Sequence, residues 1–91
     1  MSKWKIIKND LEDLGNKPLS EIEGLLIEDL FQAELENYCI DSGWYEGVNG
    51  FITFLIKDYD WDAPIIRIVS ENVSDVLWSI DTCIEYYERI K

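Results

Sequence analysis

The stretch Phe51-Ile52-Thr53-Phe54-Leu55-Ile56 constrains this chain more than any other, because it is almost uninterrupted apolar. Such a run reads as a strand covered on both faces or lying in the middle of a sheet. Asn49-Gly50 stands immediately before it. Asn-Gly is the strongest short hairpin signal, since tight hairpin turns need residues that tolerate positive φ. A short strand or loop around Trp44-Tyr45, between Gly43 and Gly50, is the expected partner. Asp58 to Pro64 reads as a polar-aromatic loop, and Ile65-Ile66-Arg67-Ile68-Val69 as the next strand.

The rest of the chain has helical spacing. Trp4, Ile7, Leu11 and Leu14 predict a helix over 3–14, with Gly15 where a C-terminal cap glycine belongs. Lysines precede acids there, the wrong order for the helix dipole, so a strand at Trp4–Ile7 is the alternative. Ser20-Glu21-Ile22-Glu23 has the form of a capping box. It predicts a helix to about Asn37, with Ile22, Leu25, Leu26, Leu30, Phe31 and Ala33 as its apolar face. Asn72 or Ser74 caps a last helix to about Ile90, in which Val73, Val76, Leu77, Ile80, Ile84 and Tyr87 recur at three- and four-residue steps. Tyr87 belongs to its buried stripe, while Trp78 and Tyr86 fall at its boundary. The expected fold is α+β: a small antiparallel sheet of two to three strands with about three helices, largely packed on one face.

At 91 residues the chain is expected to form a single domain, 1–91. Nineteen acidic residues oppose eight basic ones, for a formal net charge of −11. The bases sit toward the ends, and between Pro18 and Ile66 the only one is Lys57. A field of this sign repels nucleic acid and anionic membranes and attracts basic surfaces. Direct nucleic-acid binding, which needs clustered Lys and Arg, is not expected. A plainer reading is that the acids only maintain solubility. No apolar stretch approaches the ~20 residues of a membrane span, and no signal-peptide pattern is present, so a cytoplasmic location is expected. Cys39 and Cys83 sit among apolar residues without a CxxC pattern and read as buried free thiols.

Catalytic chemistry finds little to work with. The chain has no histidine, which removes the commonest general base together with Ser-His and Cys-His pairings. No glycine-rich phosphate loop occurs. The expectation is a protein that is not an enzyme and needs no cofactor. Asp58-Tyr59-Asp60-Trp61-Asp62 imitates the opening of a calcium-binding EF-hand loop, but Ala63 stands where the turn needs glycine and Val69 where a bidentate Glu is required. No metal site is expected.

The same five residues make better sense as a recognition loop. Asp58, Asp60 and Asp62 alternate with Tyr59 and Trp61 between two apolar strands. Carboxylates pair with Arg and Lys, and Trp and Tyr cover a guanidinium face. Trp44-Tyr45-Glu46 repeats this acid-aromatic chemistry before the hairpin. The candidate partner-binding set is therefore Trp44, Tyr45, Glu46, Asp58, Tyr59, Asp60, Trp61 and Asp62. The competing reading puts Trp61 in the core and leaves the acids solvated.

The segment Ile52-Thr53-Phe54-Leu55-Ile56-Lys57-Asp58-Tyr59-Asp60-Trp61-Asp62 resembles strand-end segments in small bacterial immunity proteins that neutralise nuclease toxins, including ribonuclease colicins and contact-dependent inhibition toxins. Size, charge and aromatic content are also similar. The resemblance covers about a dozen residues and is to a functional class whose members have many unrelated folds. It implies an immunity or antitoxin protein that forms a tight complex with one basic, nuclease-type toxin. Two alternatives share the charge: a phage-encoded nucleic-acid mimic of the anti-restriction or anti-CRISPR kind, and a generic acidic protein-interaction domain. A monomer and a two-fold dimer fit the sequence equally well.

Overall fold

Five strands and one long helix carry the chain in a computed structural model that describes residues 3–14, 24 and 26–90. The elements are β1 (Lys5–Asn9), α1 (Leu11–Leu14), β2 (Phe31–Leu35), β3 (Tyr38–Tyr45), β4 (Gly50–Lys57), β5 (Ile66–Ser70) and α2 (Val73–Ile90). The strands pair in sequence order, every pair antiparallel, as a meander. The expectation of two to three strands and about three helices is therefore wrong. Among the described residues the protein is mostly sheet, with α2 as the one long helix and α1 a single turn.

The apolar run lies within β4, which pairs on both sides, with β3 and with β5. Phe51, Leu55 and the buried hydroxyl of Thr53 face α2; Ile52 and Ile56 are buried on the second face. The β3–β4 hairpin closes through a 3-10 turn at Glu46–Val48, and Asn49 takes the left-handed conformation at φ 50°. The Asn-Gly signal marked the right hairpin, although its connection is longer than the two-residue turn.

The predicted helix to Asn37 is a strand over Phe31–Leu35 and not helical over 26–30. Its capping box, Ser20–Glu23, lies outside the described residues, but Phe31–Leu35 is β2 and pairs with both β1 and β3. Phe31 and Ala33 are buried while Gln32 and Glu34 are only partly so, an alternation of period two. Leu30, Phe31 and Ala33 satisfied a helical stripe equally well, because a short apolar cluster does not distinguish the two periods. A two-residue turn follows, with Glu36 at φ 55°. At the N-terminus the alternative prevails: Lys5–Asn9 is a strand, and only Leu11–Leu14 is helical. Ile7 is the extra residue of a bulge against β2, and Leu11 and Leu14 still reach the core.

Helix α2 begins as expected. The Asn72 side-chain oxygen accepts the Asp75 N–H at 2.9 Å, so Asn72 is the cap. Val76, Ile80, Cys83, Ile84 and Tyr87 pack onto Ile40, Phe51 and Leu55 in one core. Tyr87 stands edge-on to both Trp4 and Tyr38, at 5.3 and 5.1 Å between ring centroids. Trp78 (64% exposed) and Tyr86 lie outside the core. Cys39 and Cys83 are free and buried; burial pushes the Cys83 thiol up to about 12, which makes it a poor nucleophile. Two hydroxyl pairs sit within the helix-side layer, Ser42 donating to Thr53 at 2.8 Å and Ser70 meeting Ser79 at 3.2 Å, so these polar groups are buried without losing their hydrogen bonds.

Residues 26–30 continue β2 along β3. Leu30 N–H donates to the Ser42 carbonyl at 3.1 Å and Trp44 N–H to the Ile27 carbonyl at 2.8 Å. Between these bonds the backbone of Glu28 passes directly over Gly43, where an added Cβ would land on the Glu28 carbonyl. Replacing Gly43 by Ala therefore forces two backbones apart. The expected outcome is a loss of at least about 2 kcal/mol in urea unfolding, with the 26–30 amides losing hydrogen-exchange protection before those of α2.

Candidate functional site

The pleat assigns side chains to two faces. One is covered by α2. The other carries Gln32 and Glu34 from β2, Cys39, Asp41 and Tyr45 from β3, and Ile52, Phe54 and Ile56 from β4. Asp41 pairs with Gln32 on one side and Phe54 on the other.

The β4–β5 loop reaches this second face. It opens with a turn over Lys57–Asp60 in which Asp60 N–H donates to the Lys57 carbonyl at 3.1 Å. Asp58 and Tyr59 occupy its two central positions at φ 57° and 58°, the pattern of a type I′ turn. Two contacts fix the turn from outside. Asp58 N–H donates to the Asn37 carbonyl, and the Asn37 side-chain amide donates to the Asp58 carboxylate, each at 2.8 Å. An aromatic residue in left-handed backbone is strained by of order 1 kcal/mol or more, and Tyr59 is 66% exposed there, so no burial of its ring offsets the strain. Two residues on, the Trp61 ring stands edge-on to Phe54 at 6.3 Å, and Tyr45 does the same at 6.1 Å. Phe54 thus joins loop to sheet.

These elements border an open cavity of about 540 Å³, lined by Asp41, Tyr45, Trp61, Gln32, Glu28 and Asp29 together with Lys8, Ile7 and Phe31. Asp41 is 7% exposed. Burial, and then the charge of Asp29, push its carboxyl up to about 6. The Tyr45 phenol is also raised, first by burial and then by Asp41, Glu28 and Asp29. Both shifts have one origin: carboxylates gathered where water is partly excluded.

The eight residues expected to bind a partner fall into three groups. Tyr45 and Trp61 line one cavity, and each stands edge-on to Phe54. Asp58, Tyr59, Asp60 and Asp62 are exposed in the loop that holds Trp61, and Asp58 is partly engaged by Asn37. Trp44 does not join them. It packs edge-on against Phe51 at 5.1 Å on the helix side, and Glu46 stands exposed in the adjoining 3-10 turn. Trp61 itself is half-exposed at 47% and outside the main core. Sequence reasoning missed Asp41, Glu28 and Asp29. An acid inside the apolar context of Cys39-Ile40 was the available signal, hidden by reading the region as the end of a helix.

Among the described residues no group of three or more acidic or cysteine side chains has the geometry to hold a metal ion, and no helix is long and apolar enough to cross a membrane. Asp41 makes a pH prediction. Its folded-state value near 6 exceeds the ordinary value of 3.8, so the folded protein retains a proton that the unfolded chain releases between those pH values. Ionising Asp41 therefore weakens the fold as pH rises through that window. Asp41→Asn is expected to stabilise the protein at pH 7 by about 1 kcal/mol, after discounting for solvent at the cavity mouth. The difference in thermal unfolding between variant and parent should shrink as pH falls through the ordinary value of 3.8 and vanish by about pH 3, where the carboxyl is neutral in both states.

No protein-family model matches the chain, and neither the curated proteins nor the solved structures contain a significant match to it.

Proposed function

We propose that this protein is an immunity or antitoxin protein that binds and blocks a basic, nuclease-type toxin. The observation that carries the reading is the meeting of carboxylates and aromatic rings on the second face of the sheet: Asp41, Glu28 and Asp29 beside Tyr45 and Trp61, with the acidic loop adjoining. A nuclease holds phosphates with a positive surface. An acidic inhibitor of net charge −11 presents the complementary potential, and steering of this kind raises association toward ~10⁸–10⁹ M⁻¹s⁻¹ at low salt. Exposed Tyr59 and half-exposed Trp61 are residue types that anchor interfaces and slow dissociation. The absence of histidine is consistent with a role in binding, carried out in the cytoplasm where the toxin is made.

The test is co-expression with candidate toxins encoded immediately upstream. Neutralisation of one of them, with a stable complex in pull-down, is expected; failure to neutralise any toxic neighbour overturns the reading. In that complex, reversing Asp58, Asp60 and Asp62 to Lys should weaken affinity at least about tenfold more than reversing Asp81, Glu85 and Glu88, which are exposed on α2 across the sheet. Both triples change net charge equally, so equal losses would show that only overall charge matters.

A further inference from the structure

We infer that the cavity between the second sheet face and the β4–β5 loop is a guanidinium site, in which Asp41 pairs with the cation and the rings of Tyr45 and Trp61 flank it. The inference deepens the proposed function and rests on it for the source of the cation, an arginine side chain of the bound protein.

Two independent observations meet here. One is the charge and shape of the cavity. Its described lining holds three carboxylates, Glu28, Asp29 and Asp41, against the single cation Lys8, and Lys8 is already engaged by Asp10 at 3.4 Å. About 540 Å³ falls within the ~300–1,000 Å³ of pockets that hold small ligands. The other is Asp41 itself. It is more than nine-tenths buried, lines the cavity, and takes no hydrogen bond or ion pair from any described residue. Among the described residues no side-chain oxygen is both buried and unpartnered, so its carboxylate oxygens open to the cavity, and a carboxylate on a residue this buried is ordinarily paired. This one is held by the middle of a central strand, between the β2 and β4 ladders, so it cannot swing out to solvent as a loop acid does. Its raised pKa agrees with a charge that lacks a counterion.

The chemistry of the walls selects among cations. A guanidinium is planar, offers paired N–H donors that match a carboxylate, and lies against aromatic faces with little loss of hydration. Tyr45 and Trp61 supply the rings. A calcium ion needs six to eight oxygens, and the described acids do not converge on one point in that way.

The test uses the full-length protein, isotopically labelled, titrated with N-acetyl-arginine amide and followed by amide chemical shifts and Trp61 indole signals. Saturable shifts at Gln32, Asp41, Tyr45 and Trp61, with a dissociation constant of about 1 mM, are expected. N-acetyl-citrulline amide, which has the shape without the charge, and the Asp41→Asn variant should each lower affinity at least about tenfold; the melting curve of the variant confirms that it is folded. An unchanged response in the variant, an equal response to citrulline, no saturable shift, or a stronger response of the same signals to calcium chloride would each overturn the inference. The titration needs no toxin, so it decides the site even if no toxin is neutralised. Conversely, a neutralised toxin that binds Asp41→Asn and parent protein equally would remove the guanidinium site and leave the proposed function standing.

Discussion

The pairing of β3 with β4 sets almost everything else. Eight residues of each strand meet in a continuous antiparallel register, from Tyr38 opposite Lys57 to Tyr45 opposite Gly50. Because side chains alternate, this register decides which residues belong to the core and which to the site. Ile40, Ser42 and Trp44 go to the helix side with Leu55, Thr53 and Phe51; Cys39, Asp41 and Tyr45 go to the other. A slip of one residue would put Asp41 under α2 and expose Ile40. The Ser42–Thr53 hydroxyl pair opposes that slip from within the core, since each group would then be buried without its partner.

Gly43 extends the same register to the acids at the rim. Without a side chain at this position, the 26–30 segment lies against β3 closely enough to bond to it on either side, Trp44 N–H donating to the Ile27 carbonyl and Leu30 N–H to the Ser42 carbonyl. Glu28 and Asp29 are thereby brought to the cavity that Asp41 lines. The loop arrives from the opposite end of β4, turned back by two left-handed residues and held by Asn37. Thus one strand pair receives carboxylates from one neighbour and a tryptophan from the other.

How much of this the sequence disclosed follows from how many physical signals each element carries. β4 had an apolar run and a turn before it; α2 had a cap and five turns of periodicity; both were legible. β2 had five residues, Phe31-Gln32-Ala33-Glu34-Leu35, too few to separate period two from period 3.6, and a capping-box pattern upstream that favoured helix. Losing β2 hid β3 as well, and with it the cross-strand neighbours of Asp41. The loop was legible as acid-aromatic chemistry because its residues are contiguous. The cavity was not, since Asp29, Asp41 and Trp61 become neighbours only through the register and the Gly43 crossing.

The placement of Asp41 is an expense that folding alone does not explain. Its cross-strand neighbours are an amide, Gln32, and a ring, Phe54, and an apolar residue there would pack against Phe54 without a desolvation penalty. The plain alternative, an acid placed for solubility, belongs on the surface, where the chain has many. Tyr59 presents the same imbalance on the loop, a ring exposed in strained backbone without core contacts to offset it. Both departures lie on one side of the sheet, where the Asp41 oxygens open only to the cavity, while on the α2 side Ser42, Thr53, Ser70 and Ser79 pair with one another and the aromatics pack. Such concentration is what a binding surface produces, because a partner supplies in the complex the interactions that the free protein forgoes.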